Sequence, residues 1–306
     1  MNLTPQAAVM FPGPWEHRDV AANGARFHTV HCGAGPLVVL LHGFPMYWWT
    51  WRTHLGALAD AGYHAVAMDL RGYGGSDHTP HGYDPMTLSA DVAGVIRSLG
   101  ESSAVVVGHG LGGTVAWSAA VMRAPVIRAI ATVSAPHPVR MRQANTQDPE
   151  QRRLSRYTLG FQWPLAPEHS LVKKDAERVE FLLRLWSGTP GWPDPETALM
   201  FRRAMQFSST AHCALEYYRW AFRSIQRSDG RQFIHRMRFP VQQPVLQILG
   251  DSDVSILGRT YAGSEAYVTG PFDRVDMRSI GHFPHEEDGV RFCEALVPWL
   301  NKVHSR

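Results

Sequence analysis

The chain has 306 residues, 44% hydrophobic and 19% charged, an ordinary globular balance that excludes a disordered or fibrous protein. Thirty Lys and Arg against 27 Asp and Glu leave a net charge of +3, too little for the basic stripe of a nucleic-acid binder. Cys32, Cys213 and Cys293 are odd in number and form no CxxC pair, so neither a disulfide framework nor a zinc knuckle is expected, and no run approaches the roughly 18 apolar residues of a membrane span.

Met1 to Trp15 has no cationic stretch followed by an apolar core, so no signal peptide is expected and the chain reads as soluble and cytoplasmic. Asn23-Gly24 is a two-residue turn signal, with Arg26 to His31 as the returning strand. Leu37 to Leu41 is a short continuous apolar run, as in a strand buried on both faces of a parallel sheet. Trp48, Trp51, Leu55 and Leu58 recur at spacings of three and four and predict one helical face. His64 to Leu70 reads as a strand, Leu88 to Leu99 as a helix stopped by Gly100, and Ala104 to Val107 as another buried strand. A small-residue helix begins at Leu111, and Ile127 to Ser134 is one more strand. This alternation predicts an α/β fold with a mostly parallel sheet covered by helices on both faces.

The rhythm breaks after Pro138. Val139 to Pro240 shows helical patterning and no convincing buried strand; it carries 17 Lys and Arg against 10 Asp and Glu, +7, which leaves −4 for the rest. Strands resume at Val245 to Leu249 and Arg274 to Met277, and a final helix runs to about Leu300. Residues 139–240 are therefore expected to form a helical lid over a core built from 1–138 and 241–306. Its arginine excess reads as a solvated face.

Gly108-His109-Gly110-Leu111-Gly112 lies between a strand and a helix, the context of a nucleophile elbow, G-x-Nu-x-G. Its central residue, Gly110, has no side chain to act as nucleophile. Gly250-Asp251-Ser252-Asp253 follows a strand where an orienting acid would sit, and Ser279-Ile280-Gly281-His282 follows the last strand where a general base would sit. The order elbow, acid, histidine is that of an α/β-hydrolase. The glycine spacing does not fit a dinucleotide loop.

These motifs resemble the α/β-hydrolase fold family and, within it, the soluble epoxide hydrolase branch, across nearly the whole chain. His42-Gly43-Phe44-Pro45 is similar to that branch's HGxP turn, with Trp48, Trp51 and Arg52 continuing the likeness. Asp69-Leu70-Arg71-Gly72-Tyr73-Gly74 resembles its next loop, and Gly281-His282-Phe283-Pro284-His285-Glu286-Glu287 its catalytic-histidine loop. Tyr157-Thr158-Leu159-Gly160-Phe161-Gln162 and Tyr217-Tyr218-Arg219 resemble the two cap segments that supply epoxide-polarising tyrosines. The resemblance implies that Phe44 and Leu111 donate backbone N–H groups to an oxyanion hole. It also implies that His282 is the base, oriented by Asp253, and that Tyr157 and Tyr218 hydrogen-bond an epoxide oxygen. Trp48, His109 and Phe283 are expected to contact the substrate. Gly110 departs from the pattern, since the branch has Asp there and the esterases Ser.

Asp251 competes with Asp253 for the acid role, and Asp253 is preferred by its spacing from Gly250. Tyr217 and Tyr218 sit about 100° apart on a helix, so only one can face a given site. Gly110 leaves three functions open. One is water attack on an epoxide or similar electrophile, with His282–Asp253 as base. The second is proton transfer without hydrolysis, as in a lyase, isomerase or cyclase; the third is non-catalytic binding of an apolar ligand. The partner in each is a small molecule. No metal, cofactor, nucleic acid or membrane partner is implied, and a homodimer is allowed.

Overall fold

Eight strands form one sheet in a computed structural model that describes residues 3–305. Met1 and Asn2, part of the N-terminal segment read above, and Arg306 lie outside the described residues. The strands are β1 (Glu16–Ala22), β2 (Ala25–Cys32), β3 (Leu37–Leu41), β4 (His64–Met68), β5 (Ala104–His109), β6 (Ile127–Val133), β7 (Val245–Gly250) and β8 (Phe272–Met277). Their order is β1-β2-β4-β3-β5-β6-β7-β8. β1 and β2 form an antiparallel hairpin around Asn23-Gly24, both with positive φ, and β2 pairs antiparallel to β4. The remaining pairs are parallel.

Every residue of β3 and β5 is buried, the state for which a continuous Val/Leu run is suited when helices cover both faces. The helix Pro85–Ser98 shows the same legibility: Asp84 caps it by accepting from the amides of Met86 and Thr87, and Gly100, at φ +86°, follows its end.

Several boundaries differ from the sequence reading, three of them beside the site. Trp48–Trp51 is a buried 3₁₀ turn leading into the helix Arg52–Asp60, a common way for a helix to begin. β4 ends at Met68, where Asp69 turns its carboxylate to the neighbouring loops. β5 continues through His109.

Among the described residues, every element between β6 and β7 is helical; the longer ones are Pro138–Gln147, Ala166–Trp186, Pro195–Met205, Thr210–Arg223 and Ser228–Arg236. Ala166–Trp186 is interrupted over 173–176 by non-helical backbone. The chain returns to the sheet at β7 and closes with the helix Gly289–His304. In the parallel part of the sheet, the loops after β3, β5, β7 and β8 all leave from carboxyl ends on one side. That is where an open α/β sheet gathers its chemistry.

Candidate active site

Gly110 stands at the hinge between β5 and the helix Leu111–Met122, with φ +52° and ψ −111°. An L-residue pays strain for that conformation, and glycine does not. Its neighbours are glycines for a different reason. A β-carbon on Gly108 would lie 2.3 Å from the Gly112 carbonyl oxygen, and one on Gly112 would lie 2.5 Å from that of Leu41. A β-carbon on Gly110 meets only Gly43 Cα at 3.7 Å and His282 Nε2 at 3.9 Å, which is ordinary contact.

His282 is held on three sides. Its Nδ1 donates to Asp253 Oδ2 at 2.7 Å, its backbone N–H to the Trp186 carbonyl at 2.9 Å, and its own carbonyl accepts from His109 Nε2 at 2.9 Å. Asp253 is fixed in turn. Its Oδ1 accepts from the amides of Ser255 and Ile256 (2.7 and 3.0 Å), and Oδ2 lies 3.3 Å from the Tyr261 hydroxyl. The proton is thereby kept on Nδ1, and Nε2 is left as a lone pair aimed toward Gly110. Asp251, the rival acid, is exposed and instead accepts from the Ser279 amide and Ser252 hydroxyl, tying two loops together.

An aromatic shell lies beside this dyad. Trp186 packs on His282 at 5.9 Å between centroids, and Tyr157 packs on Trp186 at 5.2 Å. Tyr218 contacts Phe44 at 5.4 Å, Phe161 at 5.3 Å and Tyr157 at 6.1 Å. Burial pushes the Tyr157 phenol up to about 12 and that of Tyr218 well above its ordinary value, so both remain proton donors. Tyr217 points elsewhere; its hydroxyl donates to the Arg71 carbonyl at 2.7 Å, among Tyr73 and Tyr83. Phe44 follows Gly43, whose Cα lies 3.7 Å from where a β-carbon on Gly110 would sit, and Leu111 opens the helix. Neither backbone N–H has a hydrogen-bond partner among the described residues.

The three residues expected to contact substrate are less favourably placed. Trp48 is fully buried, its indole N–H bonded to the Val9 carbonyl and its ring against Trp15 and His17; it is a core residue, a correction to the expectation. His109 is also a correction: it is wedged between His282 and His285, and burial drives its pKa well below the ordinary histidine value, so it acts as a neutral prop. Phe283 is fully buried in the wedge formed by His109, His282 and Trp192.

Two residues that position the site went unrecognised in the sequence. Glu287 accepts five hydrogen bonds: at Oε2 from the amides of Gly188, Thr189 and Gly281 and the Thr189 hydroxyl, and at Oε1 from the Phe283 amide. It staples the His282 loop to the helical insertion. Gln151, which is fully buried, accepts from the Leu257 amide and Thr260 hydroxyl and donates to the Ser255 carbonyl, bracing the acid loop from the same insertion. Glu287 lies within a quoted motif, but its partners are up to 99 residues away, so no local pattern could reveal them.

Among the described residues, no group of three His, Cys, Asp or Glu side chains converges as a metal site requires, and no helix is long and apolar enough to cross a membrane.

Residues 38–295 match the alpha/beta hydrolase family. The chain belongs to that family. This alpha/beta hydrolase is 40% identical to epoxide hydrolase A of Mycobacterium tuberculosis, an alignment covering 94% of this chain and 98% of the relative. It is 31% identical to an epoxide hydrolase of Caballeronia sordidicola, with 93% of each chain covered. Among solved structures it superposes on an epoxide hydrolase from Vigna radiata with a TM-score of 0.79 at 26% identity, covering 94% of this chain and 98% of that one. The Bacillus megaterium epoxide hydrolase, at 23% identity and a TM-score of 0.81, shares the fold.

Proposed function

We propose that this alpha/beta hydrolase opens a small, mostly apolar epoxide by direct attack of water, without a covalent intermediate on the protein. The position of His282 Nε2 carries this: it is the free nitrogen of an imidazole anchored by a buried carboxylate, and it faces Gly110 where the epoxide hydrolase pattern has aspartate. Water beside Gly110 gives its proton to Nε2 as its oxygen bonds to a ring carbon. The ring C–O bond breaks and its electron pair goes to the epoxide oxygen, which takes the proton of the Tyr157 or Tyr218 phenol. The proton on His282 then returns to the phenolate, and the sum is epoxide plus water to diol. Asp253 stabilises the transient imidazolium, and the Phe44 and Leu111 N–H groups donate to the oxygen of the attacking water and hold it beside Gly110.

Residues 139–240 serve as the cap, since they bring Tyr157, Trp186 and Tyr218 to the dyad. The site is complete within one chain. The free thiols Cys32, Cys213 and Cys293 suit a reducing compartment, and we place the protein in the cytoplasm.

The test is diol formation from a panel of terminal and aryl epoxides by the unaltered protein and by His282→Ala. Diol that depends on His282 supports the proposal. Turnover that survives His282→Ala unchanged overturns it, and no diol from any substrate points to the non-hydrolytic or ligand-binding functions.

A further inference from the structure

We propose that the turn at Gly110 is a binding site for a small carboxylate of formate size, which serves as an exchangeable nucleophile for epoxide opening. This rests on the epoxide-opening function proposed above and changes which molecule attacks the ring first.

Room, charge and size each point to formate. Of the three glycines in the turn, only Gly110 has room for a β-carbon, which would touch Gly43 Cα and His282 Nε2 at ordinary contact distance, whereas its neighbours would strike backbone. The helix behind it, Leu111–Met122, is 12 residues long and begins with an unpartnered N–H, so its amino end favours an anion. The second, independent feature is His282, whose side chain is only 8% exposed and whose Nε2 has no hydrogen-bond partner while lying 3.9 Å from that β-carbon position. Size then selects among carboxylates. A formate carbon in contact with Gly110 Cα must stay about 3.5–4.0 Å away, farther than a bonded side chain would hold it. Acetate adds a methyl group on that side and pushes its carboxylate out toward Tyr157 and Tyr218.

The chemistry closes without other reagents. A formate oxygen bonds to a ring carbon, the ring C–O bond breaks, and the freed oxygen takes the proton of a tyrosine phenol, giving a hydroxyalkyl formate ester and a phenolate. Water then attacks the ester carbonyl while His282 Nε2 takes its proton, with the Phe44 and Leu111 N–H groups facing the oxyanion. The tetrahedral intermediate expels the alkoxide, which takes the proton from His282. The formic acid released gives its proton to the phenolate, so formate is regenerated and the product is diol.

The experiment supplies oxygen-18-labelled formate in unlabelled water to the intact protein with a terminal aryl epoxide, and follows the diol by mass spectrometry. The expected result is label in the diol, a rate that saturates with formate at about tenfold or more above carboxylate-free buffer, and labelled formate ester accumulating in His282→Ala. Gly110→Asp, which fills the space with its own carboxylate, is expected to abolish the formate dependence; if that variant does not fold, the label in the unaltered protein decides alone. Diol formed without label from formate overturns this inference and leaves the proposed function standing. No diol with or without formate overturns both.

Discussion

His282 Nε2 lies 3.9 Å from the point where a side chain on Gly110 would begin, and its Nδ1 is bonded to Asp253 at 2.7 Å. A base is therefore aimed at a backbone turn that presents no nucleophile of its own. The partners that hold the base come from both the sheet and the helical insertion.

Asp253→Asn tests the aim of that base. The carboxamide oxygen can still accept from Ser255 and Ile256, which turns the NH2 toward His282 Nδ1. His282 must then carry its proton on Nε2, where it cannot accept another. Diol formation is expected to fall about 10²–10⁴-fold with little change in melting temperature. An unchanged rate would show that the imidazole is not the base.

Tyr157→Phe and Tyr218→Phe each remove one phenol that the proposed mechanism assigns to the leaving oxygen, and each is expected to lower kcat about 10²–10³-fold. The pH profile adds a sign. A phenol donates only while protonated, and burial pushes Tyr157 up to about 12, so its contribution persists through pH 10 and is lost only as the pH approaches that value. A fall in kcat centred at the ordinary tyrosine value would contradict this.

Gly110→Ala separates backbone strain from space. Its methyl group has room, but φ +52° with ψ −111° is hostile to an L-residue, so unfolding is expected to become easier by about 1–3 kcal/mol. A melting curve identical to that of the unaltered protein would mean the turn relaxes freely.

Much of this was legible in the chain because the signals are local. The apolar runs of β3 and β5, the Asn23-Gly24 turn and the Asp84 and Gly100 ends of one helix are short-range physics. So are the glycines around Gly110, each demanded by a close approach or a positive φ. The spacing from Gly250 already favours Asp253 over Asp251, but what Asp251, Tyr217 and Tyr218 each meet depends on loops that adjacent residues do not reveal. Trp48 misled because a tryptophan beside an active-site motif looks the same in sequence whether it faces a pocket or the Val9 carbonyl. Glu287 was invisible for the same reason, since three of its five donors come from Gly188 and Thr189, a loop that only the fold brings to it.

Glu287→Gln replaces one accepting oxygen with an NH2 group facing N–H donors. The His282 loop and the 188–189 turn are expected to loosen, with faster amide hydrogen exchange at Gly188 and Gly281 and a loss of about 2 kcal/mol or more in stability. The effect on catalysis should fall on kcat more than on KM, because the residue holds the base rather than the substrate. Protection at both amides equal to that of the unaltered protein would remove Glu287 from the account.

The most direct measurement is a single turnover of an epoxide in oxygen-18 water and carboxylate-free buffer, with protein in excess. Direct attack by water predicts diol carrying the label from the first turnover, and none above background with His282→Ala. Unlabelled diol in that first turnover would mean that the protein delivered an oxygen of its own, and would contradict the assignment of water as the nucleophile beside Gly110.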